Sequence, residues 1–209
     1  MTTTPSTTAE AILVHASRIL AIRGLHGTAT RDVAAAVGIR QPSLFHHYPS
    51  KTAIVEALLA YSVDVALATA RTLRDAPGSA AARLYRYVRW DIAYCTTSVY
   101  DLRGVHRDDV LAEPALAAWA AKIDDLHAAI RTIIEQGIAA GELDAPDPEF
   151  ARQAITGLTL ETIRVHGAGA DDEPEGRPDR AAEFALRALL VDPTRLPAVR
   201  AEATAPLLR

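Results

Sequence analysis

Residues 30–51, TRDVAAAVGIRQPSLFHHYPSK, limit what this chain can fold into more than any other stretch. From Arg31 onward, apolar side chains recur at Val33, Ala34 and Val37, one face of a short helix. Thr30 can serve as its N-cap, Asp32 sits in the first turn against the positive helix end, and Gly38 suits the left-handed residue that often closes a helix. Ile39 is the apolar residue that a turn between two packed helices has to bury. Pro42 fits the start of a second helix, where its fixed φ helps and its missing N–H costs nothing. Leu44 and Tyr48 lie four apart and can pack inward, leaving Gln41, Ser43, His46 and His47 to point outward, with Pro42 and Phe45 at the margin. Pro49 and Ser50 end that helix and cap the next, whose first turn holds Lys51. The whole is a helix-turn-helix pattern.

Its second helix has side chains suited to a duplex groove. Gln41 can pair bidentately with adenine, Ser43 with several bases, and the Pro42 ring can touch a thymine methyl. Arg31 can reach guanine O6 and N7 or a phosphate, and Thr30 and Lys51 suit phosphate oxygens at the helix N-termini beside them. A helix-turn-helix can also be a purely structural corner. The exposed polar set and the placement of Lys51 favour the duplex.

From residue 12 to about residue 58 the chain resembles the DNA-binding domain of the tetracycline-repressor-like (TetR) regulators. The resemblance runs through Ile12, Leu13, Ala16, Gly24, Thr28, Arg31-Asp32-Val33-Ala34, Gly38-Ile39 and Leu44-Phe45-His46-His47-Tyr48-Pro49-Ser50-Lys51. It implies an all-α fold, with an N-terminal three-helix helix-turn-helix DNA-binding domain and a C-terminal helical domain for ligand binding and dimerisation. It also implies Thr30, Arg31, Gln41, Pro42, Ser43, Phe45, His46, His47 and Lys51 as the DNA-contacting set. Phe45 stands where the family often has a Tyr that touches phosphate, so only an apolar contact is expected there. Ala29, often Ser or Thr in the family, lacks a phosphate ligand in the same way.

Charge distribution agrees. The 209 residues carry a net −4, but residues 1–51 carry +3 and the remainder −7, a basic end on an acidic body. At 49% hydrophobic and 23% charged, the composition is that of a globular chain with a real core. A lone cysteine, Cys95, excludes an internal disulfide, and no signal segment or membrane-length apolar run stands out, so a cytoplasmic location is expected.

The expected domains are 1–51 (with 1–7 a flexible arm), 52–191 as effector-binding and dimerisation domain, and a 192–209 tail. Periodicity places a first helix over 8–23, with Thr8 as cap. Further helices fall at 51–74, at 79–98 rich in aromatics, at 114–140 with a seam from Leu116 through Ile123 and Ile130 to Gly137, and at 148–166 and 179–191. Short helices fill 99–111, an acidic loop spans 167–178, and the tail wraps loosely. The last two helices are apolar on more than one side and need a second partner. The family dimerises through its last two helices as a four-helix bundle, here 148–166 and 179–191. A single buried layer in a monomer is the alternative.

The 79–98 and 114–140 helices could wall a pocket lined by Tyr87, Trp90, Tyr94, Cys95, Leu102, Arg103, His106, Leu116, Trp119, Ile123 and His127. Rings at helical spacing can equally be core, and Arg103 and His106 could bind an acidic ligand or simply pair with Asp101, Asp108 and Asp109. The resemblance implies an effector site here. No catalytic constellation, phosphate loop or metal-ligand spacing is found, and adjacent His46 and His47 cannot share one metal from a helix. No cofactor or enzyme activity is expected. The reading is a ligand-responsive homodimeric regulator, a repressor of palindromic double-stranded operator DNA released by an unknown small molecule. A DNA-binding regulator governed by a protein partner, or by no effector, is the alternative.

Overall fold

A computed structural model describes residue 5 and residues 7–167 and 176–206. Most of the arm (1–4 and 6), most of the acidic loop (168–175) and the end of the tail (207–209) lie outside the described residues. Among those described the fold is all-α, with no strand beyond an isolated antiparallel bridge between Leu143 and Leu190.

The helices run α1 (Thr8–Gly27), α2 (Thr30–Val37), α3 (Gln41–His47) and α4 (Lys51–Leu59), then a π turn (Ala60–Asp64) and α5 (Val65–Asp75). After α6 (Ala80–Thr97) come a 3-10 turn (Leu102–Gly104), α7 (Asp108–Leu111) and a second 3-10 turn (Pro114–Leu116). Then follow α8 (Ala117–Ala139), α9 (Pro148–Gly167), α10 (Arg177–Leu189), a third 3-10 turn (Pro193–Arg195) and α11 (Leu196–Thr204).

Several boundaries differ from those the sequence suggested. α1 is capped by Thr7, whose Oγ1 accepts from the Glu10 amide at 3.1 Å, because Thr8 already has helical geometry. Ala29, not Thr30, caps α2, and it offers no side-chain acceptor. The expected 114–140 helix starts as a 3-10 turn before α8. The 192–209 tail is partly helical and packed: Leu196, Val199 and Ala203 of α11 are buried in a core cluster. Contrary to the reading that no segment approaches a membrane span, the 25-residue stretch Lys51–Asp75 contains an 18-residue window with mean hydropathy 1.6, enough by length and composition alone. Half of it is buried inside the protein, as in the core helix of a globular fold.

The chain forms two compact units. The first comprises Met1–Val65 and Thr97–Lys122, the second Ala66–Thr96 and Ile123–Arg209. In the first, Ile12, Leu20, Val33, Leu44 and Leu58 are almost fully buried. Gly104 abuts α1 so closely that a Cβ there would lie 2.7 Å from the Ala21 amide nitrogen. In the second, the core is built from Leu84, Tyr85, Val88 and Ile92 of α6, Ile130, Ile133 and Ile134 of α8, and Ala182 and Leu186 of α10. Gly137 of α8 leaves room for Leu143, which a Cβ would meet at 2.6 Å.

Candidate nucleic-acid interface

α2 and α3 meet through a turn at Gly38, which has φ of +80° and donates its amide to Ala35; the Ile39 amide returns to Ala34 at 3.0 Å. These bonds satisfy carbonyls that the end of α2 would otherwise leave open. Pro42 lies in the first turn of α3, Leu44 is fully buried, and the Ser50 Oγ caps α4 by accepting from the Ala53 amide at 3.0 Å. With Leu44 spent on the core, Pro42, Ser43, Phe45, His46 and His47 all face solvent. Phe45 is 41% exposed, and the two imidazoles meet edge to face at 5.7 Å. Arg31 projects from the start of α2 with its side chain 80% exposed, only 3.6 Å from Asp32. Asp32 also takes a bond from Arg23 of α1 at 2.9 Å, which ties the first helix to the second.

Three of the sequence-selected residues are engaged inside the head. Gln41 Nε2 donates to Thr30 Oγ1 at 2.9 Å, joining the starts of α3 and α2. Lys51 Nζ donates to the Leu25 carbonyl at 2.8 Å.

That last bond belongs to a bracket that the sequence did not reveal. Gly24 has φ of +70° and kinks α1, freeing the Leu25 amide from the helical ladder. Asp109 of α7 accepts from that amide at 2.7 Å, and Arg107 holds the other carboxylate oxygen at 3.0 Å. Burial alone would push the Asp109 carboxyl up, but the Leu25 amide and the Arg107 guanidinium hold it below the usual carboxylate range. Lys51 and Asp109 thus take opposite ends of one residue. A Cβ at position 24 would sit 2.5 Å from the Asp109 oxygen, so this glycine is needed for the approach as well as for its dihedral. Earlier in the same segment, the Asp101 amide donates to Ser17 Oγ of α1 at 3.0 Å.

The chain's residues fit two family descriptions. "Bacterial regulatory proteins, tetR family" covers residues 12–58, and "Tetracyclin repressor-like, C-terminal domain" covers residues 77–165. The chain belongs to the TetR family. Among TetR-family proteins, the HTH-type transcriptional repressor KstR2 of Mycobacterium tuberculosis is 37% identical over 73 residues, 35% of this chain and 36% of that protein. The match therefore spans about a third of this curated relative's length. In three dimensions this chain resembles AmtR of Mycobacterium smegmatis, with a TM-score of 0.80 and 29% identity over 96% of both chains. It also resembles AibR, solved in complex with isovaleryl coenzyme A and operator DNA, with a TM-score of 0.70 and 21% identity over 88% of this chain and 98% of that one. At 21% identity the second likeness speaks for the fold alone.

The TetR-type body distributes the expected effector residues over both units. Leu102, Arg103, His106, Leu116 and Trp119 lie in the first. Leu102 and Leu116 are buried there, and Arg103 makes a two-pronged pair with Asp101 at 2.8 and 2.6 Å, the pairing that its neighbourhood in sequence had suggested. His106 Nε2 lies 3.3 Å from Ser62 Oγ in the π turn, and Lys122 sits 4.1 Å over the Trp119 ring while pairing with Asp64 at 2.7 Å. Tyr87, Trp90, Tyr94, Ile123 and His127 lie in the second unit. Trp90 and Tyr94 stack at 5.1 Å, and Tyr87 lies 6.3 Å from Trp90. His127 has its proton affinity lowered by burial and by Arg152. Asp91, on the same face of α6 as these rings, was not among the selected residues. Its spacing, four residues after Tyr87 and three before Tyr94, could have marked it.

Proposed function

We propose that this chain is a ligand-responsive transcriptional repressor of the cytoplasm, acting as a homodimer on palindromic operator DNA and released by a small molecule bound in its body. The observation that carries the reading is the α2–α3 pair. Val33, Ala34 and Leu44 are turned inward, and Arg31, Pro42, Ser43, Phe45, His46 and His47 form the outer surface of a two-helix corner. In this reading Arg31, Gln41 and Ser43 read base edges, Phe45 and Pro42 make apolar contacts, and Thr30, His46, His47 and Lys51 hold phosphates. Gln41 and Lys51 reach DNA by exchanging the internal bonds they make in the free head.

The homodimer is assigned to 148–166 and 179–191. Phe150 of α9 and Phe184 of α10 are each 67% exposed and flank an apolar groove that includes Ala154, Leu158 and Ala188. Two large rings left in water on adjacent helices are what a second copy would cover. Twofold pairing sets two recognition helices roughly 34–36 Å apart, one helical turn of DNA. That KstR2 is a repressor supports extending repression to this chain, and AibR, solved with both a small ligand and operator DNA, has a fold like this one.

The test is a footprint of the purified protein on DNA flanking its own gene, followed by anisotropy titrations and sedimentation. A dimer with a protected palindrome, and an affinity that falls steeply with salt, is the expected result. A monomer that grips every duplex equally would end this reading.

A further inference from the structure

Among its described residues the body contains a carboxyl with no counterpart. Asp91 lies in α6 within the second unit, and among the described residues it has no hydrogen-bond or ion-pair partner. It is deep enough for burial to push its carboxyl up to about 7, yet part of its surface stays accessible, so it is desolvated without being packed over. Its electrostatic neighbours are Tyr87 and Cys95, one turn to either side, and neither can neutralise it; burial pushes both of their proton affinities up, and Asp91 adds to that. An uncompensated interior carboxylate is among the costlier features a core can hold.

Its surroundings on the helix point to what compensates it. At about 100° per residue, Tyr87, Trp90, Asp91 and Tyr94 share roughly a 100° arc of α6. Trp90 and Tyr94 are stacked at 5.1 Å and 19°, with Tyr87 tilted beside them. All three ring residues are at least partly buried. Aromatic faces attract cations, and more strongly where water is excluded. A lone carboxylate next to such faces suits a positive charge carried on an apolar body.

We propose that Asp91, with the rings of Tyr87, Trp90 and Tyr94, recognises an effector bearing an organic ammonium group on an apolar skeleton. This rests on the effector reading above and specifies the ligand's charge. Asp91 supplies the counter-charge, and the rings bind the apolar part and share in holding the cation. An acidic or neutral ligand would leave the carboxyl's desolvation unrelieved.

The test uses the full chain and three matched probes at pH 7.5: phenethylammonium, phenethyl alcohol and 3-phenylpropionate. Melting temperature and Trp fluorescence report binding. The expected result is at least tenfold tighter binding of the ammonium than of the alcohol, with that ratio lost in Asp91→Asn and kept in Asp91→Glu. Asp91→Asn mimics the protonated side chain, and its own melting curve checks folding. Equal or tighter binding of the alcohol or the carboxylate, or an unchanged ratio in Asp91→Asn, overturns the ammonium assignment and leaves the effector reading standing. Silence from all three probes and from a broad metabolite panel removes the effector reading, and this proposal with it.

Discussion

At the scale of single residues, the head and the body differ in how their polar groups are satisfied, and the predictions follow from that difference. Arg31 and Gln41 are assigned to base edges, so Arg31→Ala and Gln41→Ala should each relax operator preference by ~1–3 kcal/mol, read as the ratio of operator to random-DNA affinity. Equal losses on both DNAs for Gln41→Ala would exclude base reading by that residue. Lys51 has two tasks. Lys51→Ala should weaken operator and random DNA alike and flatten the salt slope. It should also lower stability by roughly 1–2 kcal/mol in urea melts, because the Leu25 carbonyl loses a charged donor. Asp91 behaves in the opposite sense. Its folded-state carboxyl titrates near 7, well above an unfolded aspartate. Its protonated form therefore favours folding, a contribution present below about pH 4 and lost as pH rises through about 7. Asp91→Asn should be more stable than wild type at pH 8 by roughly 2–4 kcal/mol, with the gap closing toward pH 4 in denaturant titrations.

At the scale of elements, the bracket around Leu25 links α1, α4 and α7. The Gly24 kink opens the Leu25 amide, Asp109 takes it, and Lys51 takes the carbonyl of the same residue. Asp109→Asn should lower the urea midpoint by the equivalent of roughly 1–3 kcal/mol with an unchanged slope. The Asp109 carboxyl is held low in the folded state, so its contribution is present above the unfolded aspartate value and is lost as pH falls through the depressed one. The difference between wild type and variant should therefore shrink on acidification. α11 shows a different logic. Leu196, Val199 and Ala203 recur at intervals of three and four, and Arg86 of α6 donates to the carbonyls of Glu202, Ala203 and Ala205 at 2.7–3.0 Å. A stretch interrupted by prolines still forms a helix when a partner takes the carbonyls at its end.

At the scale of the whole molecule, the prediction concerns assembly. Phe150 and Phe184 are each 67% exposed among the described residues, so the double variant Phe150→Asp, Phe184→Asp should leave each chain folded but monomeric by sedimentation. Operator affinity should then fall by roughly 100-fold or more, because two linked heads bind with a high effective concentration that single heads lack. A dimer that survives both charges would place the contact elsewhere.

The sequence by itself determined the helix-turn-helix, because that unit is local. Its Gly turn, its inward Leu44 and the Ser50 cap lie within some twenty positions, and short-range rules settle them, although the α2 cap falls at Ala29 rather than Thr30. It also determined most helix extents, through periodicity and through Pro and Gly punctuation, as at Asp147, whose carboxylate accepts from the Glu149 and Phe150 amides at the start of α9. The fold decided the rest. Whether Lys51 pairs with Leu25, whether Asp109 reaches an amide 84 positions away, and whether Asp91 finds any partner among the described residues are outcomes of long-range packing. Charge and spacing make such contacts available, but only the three-dimensional neighbourhood selects among them. A polar side chain bonds to whatever is within about 3 Å once the apolar core is in place.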